Sequence, residues 1–182
     1  MNIVRQKKEF IHVQIKHMKL YQLHSKQALP ISKEEAWNFL SDPANLKVIT
    51  PEHMGFNILS GADREMFPGQ IIQYKVSPFP GYTTKWVTEI THVKHGSYFV
   101  DEQRFGPYAL WHHKHFINEI DEGVIMEDII DYKIPFGLLG QLAHPLIVKK
   151  QLMEIFKFRE QKLKELFGTV NNIPNQLQLK SF

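Results

Sequence analysis

Between residues 56 and 134 the chain has one dominant texture: short runs rich in β-branched and aromatic residues, broken by Gly, Pro and Asp signals. The runs cover 56–60, 70–76, 82–93, 97–106, 109–119 and 123–134. The breaks are Gly61-Ala62-Asp63 with Pro68-Gly69, Pro78-Phe79-Pro80-Gly81, His95-Gly96, Gly106-Pro107 and Asp121-Glu122-Gly123. Runs of this kind predict strands. Their connections are too short for parallel crossovers, which need about a dozen residues or more, so neighbouring strands should be antiparallel.

Pro135 ends the last run, and residues 141–167 carry a helical stripe of Val148, Leu152, Ile155, Phe156, Leu163, Leu166 and Phe167. Lys149, Lys150, Glu154, Lys157, Glu160, Lys162 and Lys164 occupy the other side, and Gly168 stands where a C-terminal cap belongs. Ahead of the sheet region lie an extended segment ending at Pro30 and a capping box of Ser32 and Glu35 that starts a helix over 33–40. Asp42-Pro43 stops that helix and opens a second short one over 43–49. A half-apolar sheet and one amphipathic helix can each bury a face only against the other, which gives an α+β fold.

The ends read differently. Residues 1–17 are basic and polar with a brief alternation at Ile11, Val13 and Ile15 that could extend a strand, and otherwise form an N-terminal extension outside the domain, which is the expectation. Residues 169–182 are polar and rich in Asn and Gln, and are expected to be a flexible tail. The net charge of +3 and the pI near 9.0 suggest a basic protein, yet Arg5, Lys7, Lys8 and Lys16 against Glu9 already supply it. The remaining residues sum to zero, which argues against a nucleic-acid binder, because such a domain carries its excess charge as a patch on the fold. Without cysteine there is no disulfide framework, thiolate metal site or cysteine nucleophile. No secretory signal pattern and no run of about 18 apolar residues is present, so a cytoplasmic protein with no integral membrane association is expected.

Strand alternation sorts the side chains, since charged residues turn outward. Lys75 outside puts Ile72, Tyr74 and Val76 inside; Lys85 and Glu89 outside put Trp86, Thr88 and Ile90 inside. Lys114 outside puts Trp111, His113, His115 and Ile117 inside, and Glu127, Asp131 and Lys133 outside put Met126, Asp128, Ile130 and Tyr132 inside. Glu102 and Arg104 outside leave Phe99, Asp101, Gln103 and Phe105 inside. A two-residue turn at Asp121-Glu122 sets Trp111 opposite Tyr132, His113 opposite Ile130 and His115 opposite Asp128. A three-residue turn with Gly123 in a bulge would shift every pair by one, and the charges favour the first register.

The order of one strand, two helices, six strands and one long helix resembles the START-related lipid-transfer and polyketide cyclase (SRPBCC) superfamily over residues 19–167. Local likeness to a bacterial ligand-binding branch comes through Phe99-Val100-Asp101-Glu102-Gln103, Gly106-Pro107-Tyr108, the alternating Trp111, His113 and His115, and residues 131–137 from Asp131-Tyr132 to Phe136-Gly137. The resemblance implies a helix-grip domain over 18–168: a curved seven-stranded antiparallel sheet wrapped around the C-terminal helix, with two short helices after the first strand. It also implies a ligand cavity between sheet and helix, where composition alone would read a packed core. The expected wall is Tyr74, Trp86, Phe99, Trp111, His113, His115, Asp128, Ile130 and Tyr132 from the strands, with Leu152 and Phe156 from the helix.

Three functional readings remain. The preferred one is binding, carriage or sensing of an apolar small molecule such as a lipid, isoprenoid or polyketide-like compound. The second is a cyclase, dehydratase or isomerase using His115 and Asp128 as an acid/base pair. The third is a protein-interaction module with a collapsed cavity. His113 and His115 share a strand face and could meet zinc with Asp128 as a third ligand. With ten histidines along the chain, chance clustering is the simpler account, and neither metal nor cofactor is expected. No phosphate loop, dinucleotide fingerprint, nucleophile elbow or zincin motif occurs.

Overall fold

The computed structural model describes residues 19–79 and 81–182; the expected extension over 1–17 lies outside them. Among the described residues one antiparallel sheet of eight strands runs in the order β2-β3-β4-β5-β6-β7-β1-β8. Its strands are β1 (Tyr21–Leu29), β2 (Asn57–Ser60), β3 (Gln70–Phe79), β4 (Tyr82–Lys94), β5 (Tyr98–Phe105), β6 (Leu110–Ile120), β7 (Gly123–Lys133) and β8 (Gln176–Ser181). The helices are α1 (Lys33–Leu40), α2 (Pro43–Leu46), α3 (Gly137–Ala143) and α4 (Lys149–Phe167). The long helix α4 lies on the inner face of the sheet, which is the helix-grip arrangement.

Each boundary has a local cause. Ser32 Oγ accepts the Glu35 N–H at 3.1 Å and starts α1, and Asp42 Oδ1 accepts the Ala44 N–H at 2.9 Å with Pro43 in the first turn of α2. The β6–β7 hairpin turns through Asp121-Glu122, with Ile120 opposite Gly123. Gly123 has φ +141°, and a Cβ there would meet the Leu29 carbonyl oxygen at 2.2 Å, so the close approach of β1 requires glycine. From that turn the register runs to Trp111 opposite Tyr132, His113 opposite Ile130 and His115 opposite Asp128.

The structure departs from expectation in three places. The sheet has an eighth strand, because Gln176–Ser181 in the expected tail pairs with the free edge of β1 and lays Leu177 and Leu179 against the core. Phe105 is 72 % exposed rather than inside. Arg104 is an extra residue in the β4–β5 ladder, where Gln103 faces Thr88 but Phe105 faces Val87, and this bulge turns Phe105 outward. Finally, the C-terminal helix does not begin at 141. It is preceded by α3 and a π-helical turn over His144–Val148, where Pro145 has no N–H to give and the Lys149 N–H reaches back to the His144 carbonyl. Leu139, Leu142 and Leu146 in this stretch stay exposed, so the apolar stripe packed on the core starts only at Val148, the last residue of that turn.

Two packed groups hold helix to sheet. Leu163 joins Leu29, Trp37, Ile72, Ile90, Ile117 and Met126 at one end. Leu152 and Phe156 join Tyr21, Leu23, Ile130 and Tyr132 at the other. Ion pairs lie across the outer face, among them Lys114 to Asp131 at 2.8 Å and Arg104 to Glu89 at 2.6 Å. This explains why the inward and outward sets separate so cleanly along β7, where Val124, Met126, Asp128, Ile130 and Tyr132 alternate with more exposed residues. No described helix is long and apolar enough to cross a membrane.

Candidate functional site

The two packed groups do not meet across the whole interface. Between them lies a cavity of about 210 Å³, roughly fifteen times the volume that one water needs. The alternation of β3 to β7 brings Tyr74, Trp86, Phe99, Trp111 and Ile130 to its wall, and α4 adds Leu152, Ile155 and Phe156. Phe39, Leu46 and Ile49 from the α1–α2 region close one side. On another side Gln151 donates its amide N–H to the Pro78 carbonyl and ties α4 to β3.

The loop before β6 contributes an aromatic corner. Gln103 holds it through both ends of its amide, donating to the Tyr108 carbonyl at 2.7 Å and accepting the Tyr108 N–H at 3.2 Å. A Cβ on Gly106 would sit 2.3 Å from the Gln103 oxygen, so a side chain there would push the Gln103 amide out of this clamp. Tyr108 then packs on Trp111 with ring centres 4.7 Å apart and on Trp86 at 5.6 Å, while Trp86 and Trp111 meet edge to face at 5.1 Å.

One end of the cavity is polar. Asp101, His113, His115 and Arg159 line it, and Asp128 stands behind them. The His113 Nε2–H donates to Asp128 Oδ1 at 3.0 Å and the His115 Nε2–H donates to Asp101 Oδ2 at 2.9 Å. His113 Nδ1 lies 3.4 Å from Asp101 Oδ2. His115 Nδ1 lies 2.8 Å from Asp128 Oδ1 but at an angle that makes no hydrogen bond. Arg159 Nη1 is 3.3 Å from Asp128 Oδ1, its side chain is only 7 % exposed, and its Nε has no partner. His115 also stacks on Phe99 at 4.1 Å, which fixes its ring from the apolar side.

The charges in this cluster hold one another in place. Burial alone would raise Asp101, but His113 and His115 keep its carboxyl below the usual range. Burial likewise works upward on Asp128, yet Arg159 and then the two histidines hold it well below. Burial followed by the neighbouring His115 lowers His113, outweighing its carboxylate partners. Burial would lower His115 too, but its hydrogen bond to Asp101 and the charges of Asp128 and Asp101 win and raise it. Of the two rings His115 is therefore the more basic.

Nine of the residues expected in the wall line the cavity: Tyr74, Trp86, Phe99, Trp111, His113, His115, Ile130, Leu152 and Phe156. Asp128 and Tyr132 do not. Asp128 is screened by the histidines, and its hydrogen bond goes to His113 rather than to His115. Tyr132 is fully buried below the cavity, where its hydroxyl shares a hydrogen bond with His144 Nε2 at 2.8 Å and its ring lies against Tyr21. Sequence reasoning missed Arg159 and the Gln103 clamp. Arg159 had a visible signal: it falls on the helical face of Leu152, Phe156 and Leu163, where a cation needs an anion facing it.

Comparison with protein-family models finds no match, and comparison with curated proteins finds none. Solved structures do match. The protein TTHA0849 of Thermus thermophilus aligns with a TM-score of 0.60 at 15% identity, over 80% of this chain and 98% of its own. A Thalictrum norcoclaurine synthase point mutant, in complex with a transition-state analogue, aligns at 0.57 with 12% identity, over 82% and 97%. The di-domain ARO/CYC StfQ of the steffimycin biosynthetic pathway aligns at 0.58 with 9% identity, over 91% of this chain and 62% of its own. At these identities the likeness is one of fold alone, the helix-grip architecture.

Proposed function

We propose that this protein binds an apolar small molecule, of lipid, isoprenoid or polyketide-like character, in the cavity between sheet and α4, as its carrier or sensor. The observation that carries this reading is the cavity itself: a space of about 210 Å³ with an aromatic and aliphatic wall and a few polar groups gathered at one end. Such a lining rewards removal of a guest's apolar surface from water and orients the guest through its polar atoms. That StfQ, an ARO/CYC of a biosynthetic pathway, and norcoclaurine synthase, solved with a transition-state analogue, share the fold supports a small-molecule guest. A collapsed cavity, which the protein-interaction reading needs, does not fit an open space of this volume. A cytoplasmic location belongs to the same proposal and is checked by cell fractionation.

The test fills the cavity. Ile155 lines it from α4 and is only partly buried, so Ile155→Trp places an indole in the space with little backbone cost. The wild-type protein should bind the apolar probe 8-anilinonaphthalene-1-sulfonate with saturation, and Ile155→Trp should weaken that binding at unchanged melting temperature. Equal binding by the two would place the probe elsewhere.

A second reading, a cyclase, dehydratase or isomerase, is favoured by one observation: titratable groups line an apolar cavity. In that case His115 would exchange the proton and Asp101, its hydrogen-bond partner, would orient it, in place of the expected Asp128. For an identified guest that the wild type turns over, His115→Ala should then remove roughly two to four orders of magnitude in rate.

A further inference from the structure

The four ring nitrogens of His113 and His115 divide into two sets. His113 Nδ1 and His115 Nε2 both face Asp101 Oδ2, at 3.4 and 2.9 Å. His113 Nε2 and His115 Nδ1 both face Asp128 Oδ1, at 3.0 and 2.8 Å. The first set belongs to residues that line the cavity, and Asp128 does not line it. The donor atoms of Asp101, His113 and His115 lie within 4.8 Å of one another.

We propose that Asp101, His113 and His115 form a binding site for a divalent first-row transition-metal ion of the zinc or ferrous class. Metal bonds of about 2.0–2.2 Å in tetrahedral geometry separate ligand atoms by about 3.3 Å. The separation of Asp101 from His113 already has that value, and that from His115 widens by a few tenths of an ångström when the shared proton leaves. Two imidazoles and a carboxylate are the donor set that zinc and ferrous ions take, with positions left open for another ligand. Here the open side is the apolar cavity.

Asp128 supplies what a metal-binding histidine needs on its far edge. Such a histidine donates its other N–H to a carboxylate, which fixes the tautomer and strengthens the ligand. One oxygen of Asp128 faces the far nitrogen of both rings, and Arg159 anchors that oxygen at 3.3 Å. His115 Nδ1 is buried without a hydrogen bond, and a small ring rotation toward the metal turns its N–H onto Asp128. Asp128 thus takes one nitrogen of each ring, and the other nitrogen of each ring converges on a separate carboxylate, Asp101. With both imidazoles neutral, as ligation requires, Asp101, Asp128 and Arg159 leave one negative charge in the apolar interior for the cation to offset.

The test uses metal ions alone and so stands apart from guest binding. Chelator-treated full-length protein is titrated with Zn2+ by calorimetry and with Co2+ by visible absorption. One Zn2+ per chain is expected in the wild type, with Co2+ bands of the intensity that a four- or five-coordinate site gives. His115→Gln and Asp101→Asn should lose this binding. Asp128→Asn should keep the stoichiometry while weakening affinity about 10–100-fold, a change that removal of a mere surface site would not produce. Zn2+ binding equal in wild type and His115→Gln, or Co2+ that absorbs in the wild-type protein as its hydrated ion, would overturn the proposal. Should the first-named variants fail to fold, the wild-type cobalt spectrum and the Asp128→Asn affinity decide it.

Discussion

Arg159→Met is the perturbation that asks most of the polar cluster. The substitution keeps the bulk and apolar stem of the side chain but removes the cation 3.3 Å from Asp128 Oδ1. At an effective dielectric of about 20, unit charges at that distance attract by about 5 kcal/mol. Desolvation of both groups offsets part of that, and breaking one side of a buried pair costs about 3 to 5 kcal/mol in comparable cases. Asp128 retains His113 and His115, so the lower end, about 3 kcal/mol, is expected. In a chain of this size that is a fall in melting temperature of about 6 to 12 °C. Urea unfolding at 25 °C gives the free energy directly. The double variant Arg159→Met/Asp128→Asn should lose about 2 kcal/mol less than the sum of the singles, because it leaves no unpaired charge. A single-variant loss below about 1 kcal/mol, or strict additivity, would refute the idea that Arg159 holds Asp128 in place.

Three further outcomes follow from other parts of the fold. Burial, then Lys149 and Lys19, lower His144 from 6.5 to about 4, while Tyr132 is hydrogen-bonded to it and Tyr21 stacks on it. The unfolded chain thus takes up this proton first, so the contribution is intact above pH 6.5 and is lost as pH falls toward 4; the ceiling is about 3 kcal/mol, and screening near the two lysines makes about 1 to 2 the expected loss. Denaturation of His144→Gln from pH 7 to 4 should show that much less acid sensitivity than wild type, and equal slopes would count against a buried neutral imidazole. Phe156→Ala should cost about 2 to 3 kcal/mol by urea unfolding, below the usual value for a packed phenylalanine, because one side of its ring already borders the cavity; a loss above about 4 would mean a filled interior. Deleting residues 176–182 uncovers β1 and the half-buried Leu177 and Leu179, and should destabilise by about 2 kcal/mol; an unchanged melting curve would show that β8 is dispensable.

The sheet was legible because two signals agreed along it. Lys75, Lys85, Lys114, Glu127 and Lys133 marked the outer face and the short turns the antiparallel order, while the β6–β7 register stood between two turn lengths, of which the charges favoured the one the structure has. What stayed hidden depends on features without a period. The Arg104 bulge reverses Phe105 by one residue, and nothing in the local sequence distinguishes that from a regular strand end. Gln176–Ser181 reads as a polar tail, yet the backbone of β1 offers it an edge and needs only Leu177 and Leu179 for a seam. The partner of His115 turned on the neighbouring strand: the hairpin puts Asp128 opposite it, but Asp101 on β5 takes its hydrogen bond. Arg159 came from a third direction, the helix, and only the assembled fold brings it to Asp128.

The most direct test of a guest-binding cavity is native mass spectrometry of the protein as purified, compared with the same sample after denaturation and extraction. A discrete extra mass that survives in the native spectrum, appears in the organic extract as an apolar molecule and is reduced in Ile155→Trp is the expected result. An unadorned native mass that no hydrophobic small molecule shifts on incubation, in wild type and variant alike, would contradict the reading of this fold as a ligand carrier or sensor.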